Sequence, residues 1–200
     1  MLENRYEKEY WAQDQYVMGI DEAGRGPLCG PLVVACCVLP INYDNPEIND
    51  SKQLTAGKRE KLFKQIIRDA HHYEFRIVSP AQIDKEDIYH ATMRAMDELS
   101  RSTGIQALTL TDAMPLHRHD VIDMVKGDAK SISIAAASIL AKVLRDHIML
   151  GYDVLYPQYE YRNHKGYGTA RHLELMDRYG LNELYRMSYR PCRDRQLKLF

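Results

Sequence analysis

The sequence predicts an α/β protein built around one central sheet. Short apolar runs rich in β-branched residues, too brief for helices, alternate with longer stretches whose apolar positions recur at helical spacing. That alternation belongs to a sheet with helices packed on it. A further observation concerns the strand ends, where carboxylates recur: Asp21 and Glu22 after the first run, Asp112 after a later one.

Residues 2–13 are charged and amphipathic and predict a helix, a short N-terminal extension over residues 1–15 ahead of a single domain spanning 16–200. Residues 17–20, Val-Met-Gly-Ile, have the brevity of a buried strand and stop at Asp21 and Glu22. The turn that follows, Ala23-Gly24-Arg25-Gly26-Pro27, has backbone freedom from its glycines and ends in a proline. Residues 32–39, rich in Val and Cys, predict a second buried strand. A polar loop over 41–50 and the run Asn49-Asp50-Ser51-Lys52-Gln53-Leu54 lead to a helix capped by Thr55, with Leu62, Ile66 and Ile67 on its apolar side. Residues 73–78 predict a strand, ended by Ser79-Pro80, and 81–100 a helical stretch. Residues 106–111 predict another strand, which delivers Asp112 at its end. A short strand-like run, 121–125, leads through Lys126-Gly127-Asp128-Ala129-Lys130 into a long helix over 131–149, where Ala135, Ala136 and Ala137 permit close packing. The remainder predicts a helical C-terminal extension with loops at 156–169 and 188–194.

A chain of 200 residues suits one domain with a sizeable core. No apolar run is long enough to span a membrane, and the charged N-terminus lacks the apolar centre of a secretory signal. The four cysteines have no zinc-like spacing, and three fall in or beside apolar strand sequence; buried reduced thiols in a cytoplasmic protein are expected. The net charge of -1 is not the strong basicity common in nucleic-acid binders. Clustered acids that hold cations would nevertheless offset a local basic face.

Asp21, Glu22, Asp112 and Asp128 all sit where elements end. Singly, each has a structural explanation: Asp112 as a turn residue, Asp128 as a favourable charge near a helix N-terminus. Together they suggest a carboxylate cage for Mg2+ or Mn2+, hard cations that require oxygen ligands. Two such ions can flank a scissile phosphate. Successive strand side chains point to opposite faces, so Asp21 and Glu22 face one ion only if the strand has ended or Glu22 contributes its carbonyl. Gly24, Gly26 and Gly30 are misspaced for a dinucleotide fingerprint, and there is no phosphate-loop Gly-Lys-Ser/Thr. The pairs His71/His72 and His117/His119 read as structural or solvated. Arg25, Lys52, Lys126, Lys130, Lys142 and Arg145 accompany the acids, as phosphate-positioning groups would. Tyr167 lies between glycines in the run His164-Lys165-Gly166-Tyr167-Gly168-Thr169, where its ring could stack on a sugar or base.

The stretches DEAGRGPLCGPLVVA, NDSKQL, LTDA, VKGDAKSISIAAASILAKVLRD and YPQYEYRNHKGYGTARH, in this order, closely resemble ribonuclease HII from Tyr16 to about Pro191. The resemblance implies a ribonuclease H-like fold, a central mixed sheet flanked by helices, with a helical C-terminal extension. It implies a metal-dependent endonuclease that cuts the RNA strand of RNA/DNA hybrids and at single ribonucleotides in duplex DNA, leaving 3'-hydroxyl and 5'-phosphate ends. The family's catalytic, metal-binding acids fall on Asp21, Glu22, Asp112 and Asp128. Its junction-reading turn falls on Gly24, Arg25 and Gly26, its sugar-packing tyrosine on Tyr167 and its phosphate-contacting lysine on Lys52. Ala113 departs from the pattern, because many members have glycine after the third acid.

The rival readings are the related ribonuclease HIII type, a non-catalytic hybrid-binding protein and a structural metal-binding protein. The first predicts an additional N-terminal domain; the second leaves four acids without a purpose, and the third leaves the Gly-Arg-Gly turn and Tyr167 without one. The final residues QLKLF resemble the short peptides with which bacterial polymerases and repair proteins bind the sliding clamp. Gln196 would bond at a pocket rim while Leu197, Leu199 and Phe200 supply apolar anchors. The alternative is that this tail docks on the protein's own surface.

Overall fold

The computed structural model describes residues 2–51 and 53–196. Five strands form one sheet in the order β3-β2-β1-β4-β5: β1 Tyr16–Ala23, β2 Leu32–Val38, β3 His72–Val78, β4 Ala107–Asp112 and β5 Val121–Met124. β1, β2 and β3 are antiparallel neighbours, whereas β1–β4 and β4–β5 are parallel, so the sheet is mixed, as expected.

Helices cover both faces. On one side lie α1 (Arg5–Trp11), α2 (Ala56–Asp69) and the long α5 (Ile132–Leu155), packed on a core that includes Val17, Val33, Ala35, Leu62 and Ala135. α3 (Pro80–Glu86) and α4 (Ile88–Ser102) cover the other, against Met18, Ile20, Val34, Ile83 and Leu99. The C-terminal region, α6 (Tyr161–His164), α7 (Ala170–Tyr179) and α8 (Arg190–Gln196), builds a third cluster around Cys29, Tyr161, Met176 and Tyr185. α5 approaches β1 closely because Gly19 has no side chain; a Cβ there would sit 2.1 Å from the Ser133 carbonyl carbon. Thr55 caps α2 as its sequence predicts, accepting the Lys58 amide at 3.3 Å.

Several expectations are corrected. β1 does not stop at Ile20 but runs through Asp21 and Glu22 to Ala23. The cause is β2, which continues to pair at Asp21↔Ala35, Glu22↔Val34 and Ala23↔Val33 after the β4 register has ended at Ile20↔Thr111. The helical stretch 81–100 is two helices, separated by Asp87 at φ 70°, whose carboxylate caps α4 by accepting the Tyr89 and His90 amides. α5 runs on to Leu155 and stops just before Pro157. The 156–169 loop contains a single 3-10 turn, Pro157–Tyr159, and α6. Residues 190–196, expected within or beside a loop, form α8, where Pro191 is tolerated in the first turn. Among the described residues no helix is long and apolar enough to cross a membrane. All four cysteines are buried and unpaired, and burial pushes the Cys29 and Cys36 thiols up to about 12.

Candidate metal centre

Three carboxylates converge at one end of the sheet. Asp21 stands near the end of β1 and Asp112 ends the parallel neighbour β4, so both project from the same edge. Asp128 comes from the 3-10 turn Gly127–Ala129 that precedes α5. One carboxylate oxygen from each lies within 4.8 Å of the other two. The arrangement is tied together by backbone: Asp112 Oδ1 accepts the Gly127 amide at 2.8 Å, and Asp21 Oδ1 accepts the Glu22 amide at 2.7 Å.

Asp21 and Asp128 are buried, and Asp112 is half-buried. Burial raises the Asp21 carboxyl well above the ordinary value of 3.8, and the charges of Glu22 and Asp112 push it the same way. Hydrogen bonds from the Ser138 hydroxyl and the Glu22 amide oppose the rise. Ser138 in turn lies 2.9 Å from the Ser51 hydroxyl, beside the Asn49–Leu54 run. Three hard oxygen donors held this close repel one another, and a divalent cation is the partner that relieves the repulsion. The donor set therefore fits Mg2+ or Mn2+.

Glu22 is not among the three carboxylates within 4.8 Å of one another, though its charge reaches Asp21. Its side chain leaves β1 on the α4 face, where Arg25 Nη1 lies 3.6 Å away. Strand alternation persists because the strand persists.

The turn after β1 is moulded from beneath by two buried arginines. Gly24 has φ +103°, and a Cβ there would meet Arg145 Nε at 2.2 Å, so only glycine fits. Arg186 donates to Gly24 O at 2.7 Å, Arg25 O at 3.1 Å and Gly30 O at 2.9 and 3.1 Å. Tyr189 adds its hydroxyl to Arg25 O at 2.6 Å. Arg145 donates to Pro31 O, Cys29 O and Lys165 O. Both guanidiniums are almost fully buried, and neither forms an ion pair among the described residues. Burial lowers Arg145 to about 10 and lowers Arg186 as well. Arg145, expected among the phosphate-positioning groups, is thus a scaffold for backbone carbonyls, because the C-terminal region folds over it.

Tyr167 lies against this turn: a Cβ at the exposed Gly26 would sit 3.8 Å from its ring, and the Arg145 guanidinium is 6.0 Å from the ring centroid. The ring is 45% exposed, leaving a face open to a ligand. Two stacked histidines, His164 and His172, with centroids 4.0 Å apart, hold the Tyr167 loop. His164 Nδ1 accepts the Gly166 amide and its Nε2–H donates to Tyr159 O; His172 Nδ1–H donates to Tyr167 O and its Nε2 lies 3.0 Å from the Tyr185 hydroxyl. The two His164 bonds require the neutral ring, and burial lowers His172 to about 4.

Sequence reasoning passed over His172, Tyr185, Arg186 and Tyr189. Their roles are long-range contacts with the 24–30 segment, and no local spacing signals them. Lys52 lies outside the described residues. Lys126 and Lys130 are exposed on either side of Asp128, whereas Lys142 is engaged with Asp146 at 2.5 Å. A cavity of about 680 Å³ lined by Tyr10, Tyr16, Arg118 and Asp120 lies at the opposite end of β1 and β4, away from the acids.

A family model for ribonuclease HII matches residues 18–192. The ribonuclease HII of Levilactobacillus brevis is 47% identical over 189 residues, which cover 93% of this chain and 73% of that protein. Among solved structures, ribonuclease H2 from Pyrococcus horikoshii OT3 is 28% identical with a TM-score of 0.75, over 92% of this chain and 98% of that one. Ribonuclease HII from Archaeoglobus fulgidus, solved in complex with PCNA, is 25% identical with a TM-score of 0.70, over 88% and 95%. Sequence, fold and converging acids agree: the chain belongs to the ribonuclease HII family of metal-dependent endonucleases.

Proposed function

We propose that this endonuclease cleaves the RNA strand of RNA/DNA hybrids and also incises duplex DNA at single embedded ribonucleotides, leaving 3'-hydroxyl and 5'-phosphate ends. The observation that carries the reading is the continuity of an acid cluster with a backbone turn and an open tyrosine face. Asp21, Asp112 and Asp128 hold Mn2+ or Mg2+, and Glu22, on the other face of β1, completes the catalytic set through its carbonyl or once substrate is bound. When bound, a pair of such ions supplies an activated water and stabilises the leaving oxygen. The chain's own part is positioning. Gly24, Arg25 and Gly26 offer backbone groups close enough to read a ribose 2'-hydroxyl, the one group that separates RNA from DNA at that point. Tyr167 packs on the adjoining sugar, and Lys52 contacts a phosphate.

Free buried thiols suit a reducing compartment, and we place the enzyme in the cytoplasm. Its tail, with Gln196 at the end of α8 and Leu197, Leu199 and Phe200 outside the described residues, engages a sliding clamp. The A. fulgidus complex with PCNA supports that partner class. Deleting 196–200 is expected to abolish clamp binding in calorimetry and to spare cleavage of short duplexes.

The deciding experiment is incubation with a DNA duplex holding one ribonucleotide, with Mn2+, with Mg2+ and with chelator. Metal-dependent incision beside the ribonucleotide is expected. Cleavage of an all-RNA hybrid alone would overturn the embedded-ribonucleotide reading.

A further inference from the structure

α1 lies before the residues that the family model matches, yet it is bonded into the segment that carries Asp128. Glu7, in the first turn of α1, has no solvent exposure. A buried carboxylate is costly unless it is hydrogen-bonded; here Oε1 carries the bonds, while Oε2 is buried with no partner among the described residues. Oε1 accepts the Ser131 hydroxyl at 2.5 Å and the Ser133 amide at 3.1 Å. Ser131 is the N-cap of α5, so the carboxylate sits at the positive end of a 24-residue helix. Asn4 adds two bonds: its Oδ1 accepts the Ile132 amide at 2.9 Å, and its own amide donates to Lys130 O at 2.9 Å.

Residues 130–133 are thus held by α1 from one side. A few residues upstream, the Asp112 carboxylate holds the Gly127 amide. The short turn bearing Asp128 is suspended between these two attachments, one made by the acid cluster itself and one by α1.

From this geometry we infer that Glu7 is a positioning residue for the metal centre, fixing Asp128 through Ser131 and the start of α5. The inference rests on the carboxylate-cage reading of Asp21, Asp112 and Asp128. α1 is then a buttress of the catalytic site rather than an appendage to it. Loss of the Glu7 contacts frees the 127–131 segment, so the third carboxylate must be ordered when the cation binds.

The test is calorimetric titration of Mn2+ alone into the parent, Glu7→Gln and Glu7→Ala, well below each unfolding temperature. Glu7→Ala is expected to weaken Mn2+ binding by about tenfold, the low end of what residues orienting metal ligands contribute. Glu7→Gln keeps an oxygen for Ser131 and Ser133 and is expected to bind near the parent value. Should Glu7→Ala fail to fold, Asn4→Ala removes the neighbouring tether and is expected to weaken Mn2+ binding to a lesser degree. Equal Mn2+ affinity in the parent and the alanine variant, with only the unfolding temperature lowered, would overturn the inference and leave the cage intact. A parent that binds no Mn2+ would overturn the cage, and this inference with it.

Discussion

Asp21 and Glu22 are consecutive residues of β1, and their carboxylates leave opposite faces of the sheet. Asp21 pairs with Ala35, whose side chain belongs to the core under α5, and Glu22 pairs with Val34, which belongs to the core under α4. Two charges that look like one motif in the sequence therefore have different immediate surroundings, although the charge of Glu22 still raises the Asp21 carboxyl. One joins Asp112 and Asp128, and the other lies beside Arg25 at the mouth of the turn.

That separation predicts different phenotypes. Asp21→Asn keeps the shape but removes the charge that three crowded oxygens offer a cation, so cleavage falls by several orders of magnitude in a folded protein. Calorimetric binding of the first Mn2+ is lost with it. Glu22→Gln retains that first binding event while lowering cleavage. Equal Mn2+ affinity in the parent and Asp21→Asn would refute the placement of the cation.

A pH dependence follows from the raised Asp21 carboxyl. In the metal-free protein the folded state keeps the proton at a pH where the unfolded chain, near 3.8, has released it. Stability from this group is complete below that unfolded value and is lost as pH rises through the higher folded one. The buried neutral His172, lowered to about 4, slopes the other way, gaining stability as pH rises towards 6.5. Comparing the parent with Asp21→Asn isolates the first effect. In chelator at neutral pH the asparagine variant should melt above the parent, and the gap should close on acidification. Added Mn2+ should raise the parent's unfolding temperature alone.

The strands, the Thr55 cap and the acids at strand ends were legible because each depends on neighbours a few residues away. The extension of β1 past Ile20 was not, since two adjacent charges argue against a strand and only the pairing with Val33, Val34 and Ala35 overrides them. Arg145 misled for a related reason. In sequence it is a cation near acids, whereas in the fold the segment from 184 to 192 covers it, with Gly30 N bonded to Leu184 O and Arg186 N to Leu28 O. Burial created by a distant segment leaves no periodicity to read. Glu7 is the same case across 124 residues.

Tyr167 should matter for discrimination more than for chemistry. Its ring lies beside Gly26, and Asp21, Asp112 and Asp128 converge without it. Tyr167→Ala is expected to retain Mn2+ affinity and to lose selectivity for an embedded ribonucleotide over an all-RNA hybrid. Unchanged rates on both substrates would exclude the role.

Arg186 makes its own prediction, because its fork donates to the buried Gly24 and Gly30 carbonyls, while Arg25 O is shared with the Tyr189 hydroxyl. Arg186→Met fills similar volume and removes a desolvated charge, which by itself can stabilise. The Gly24 and Gly30 carbonyls are then left without their donor, at roughly 1–3 kcal/mol each. Net destabilisation of about 3 kcal/mol is expected in denaturant titration, with incision at ribonucleotides reduced more than Mn2+ binding. A variant as stable as the parent would mean that the turn holds its shape without the guanidinium.

Ala113 follows the third acid in the left-handed region, at φ 50°, where an L-residue with a Cβ is strained. Its amide still donates to Met124 O at 3.0 Å, so the conformation is imposed by the β4–β5 edge rather than chosen by the residue. The side chain is exposed. Ala113→Gly relieves about 1–2 kcal/mol of strain and adds about 0.5–1 kcal/mol of unfolded-state entropy, for a net gain of somewhat under 1 kcal/mol. For a chain of this length that is a rise of roughly 2 °C in unfolding temperature. Because the backbone at Asp112 is already in place, Mn2+ affinity should not change. A lowered unfolding temperature would show that the position is relaxed with alanine, and an altered Mn2+ affinity would show that the methyl group holds Asp112.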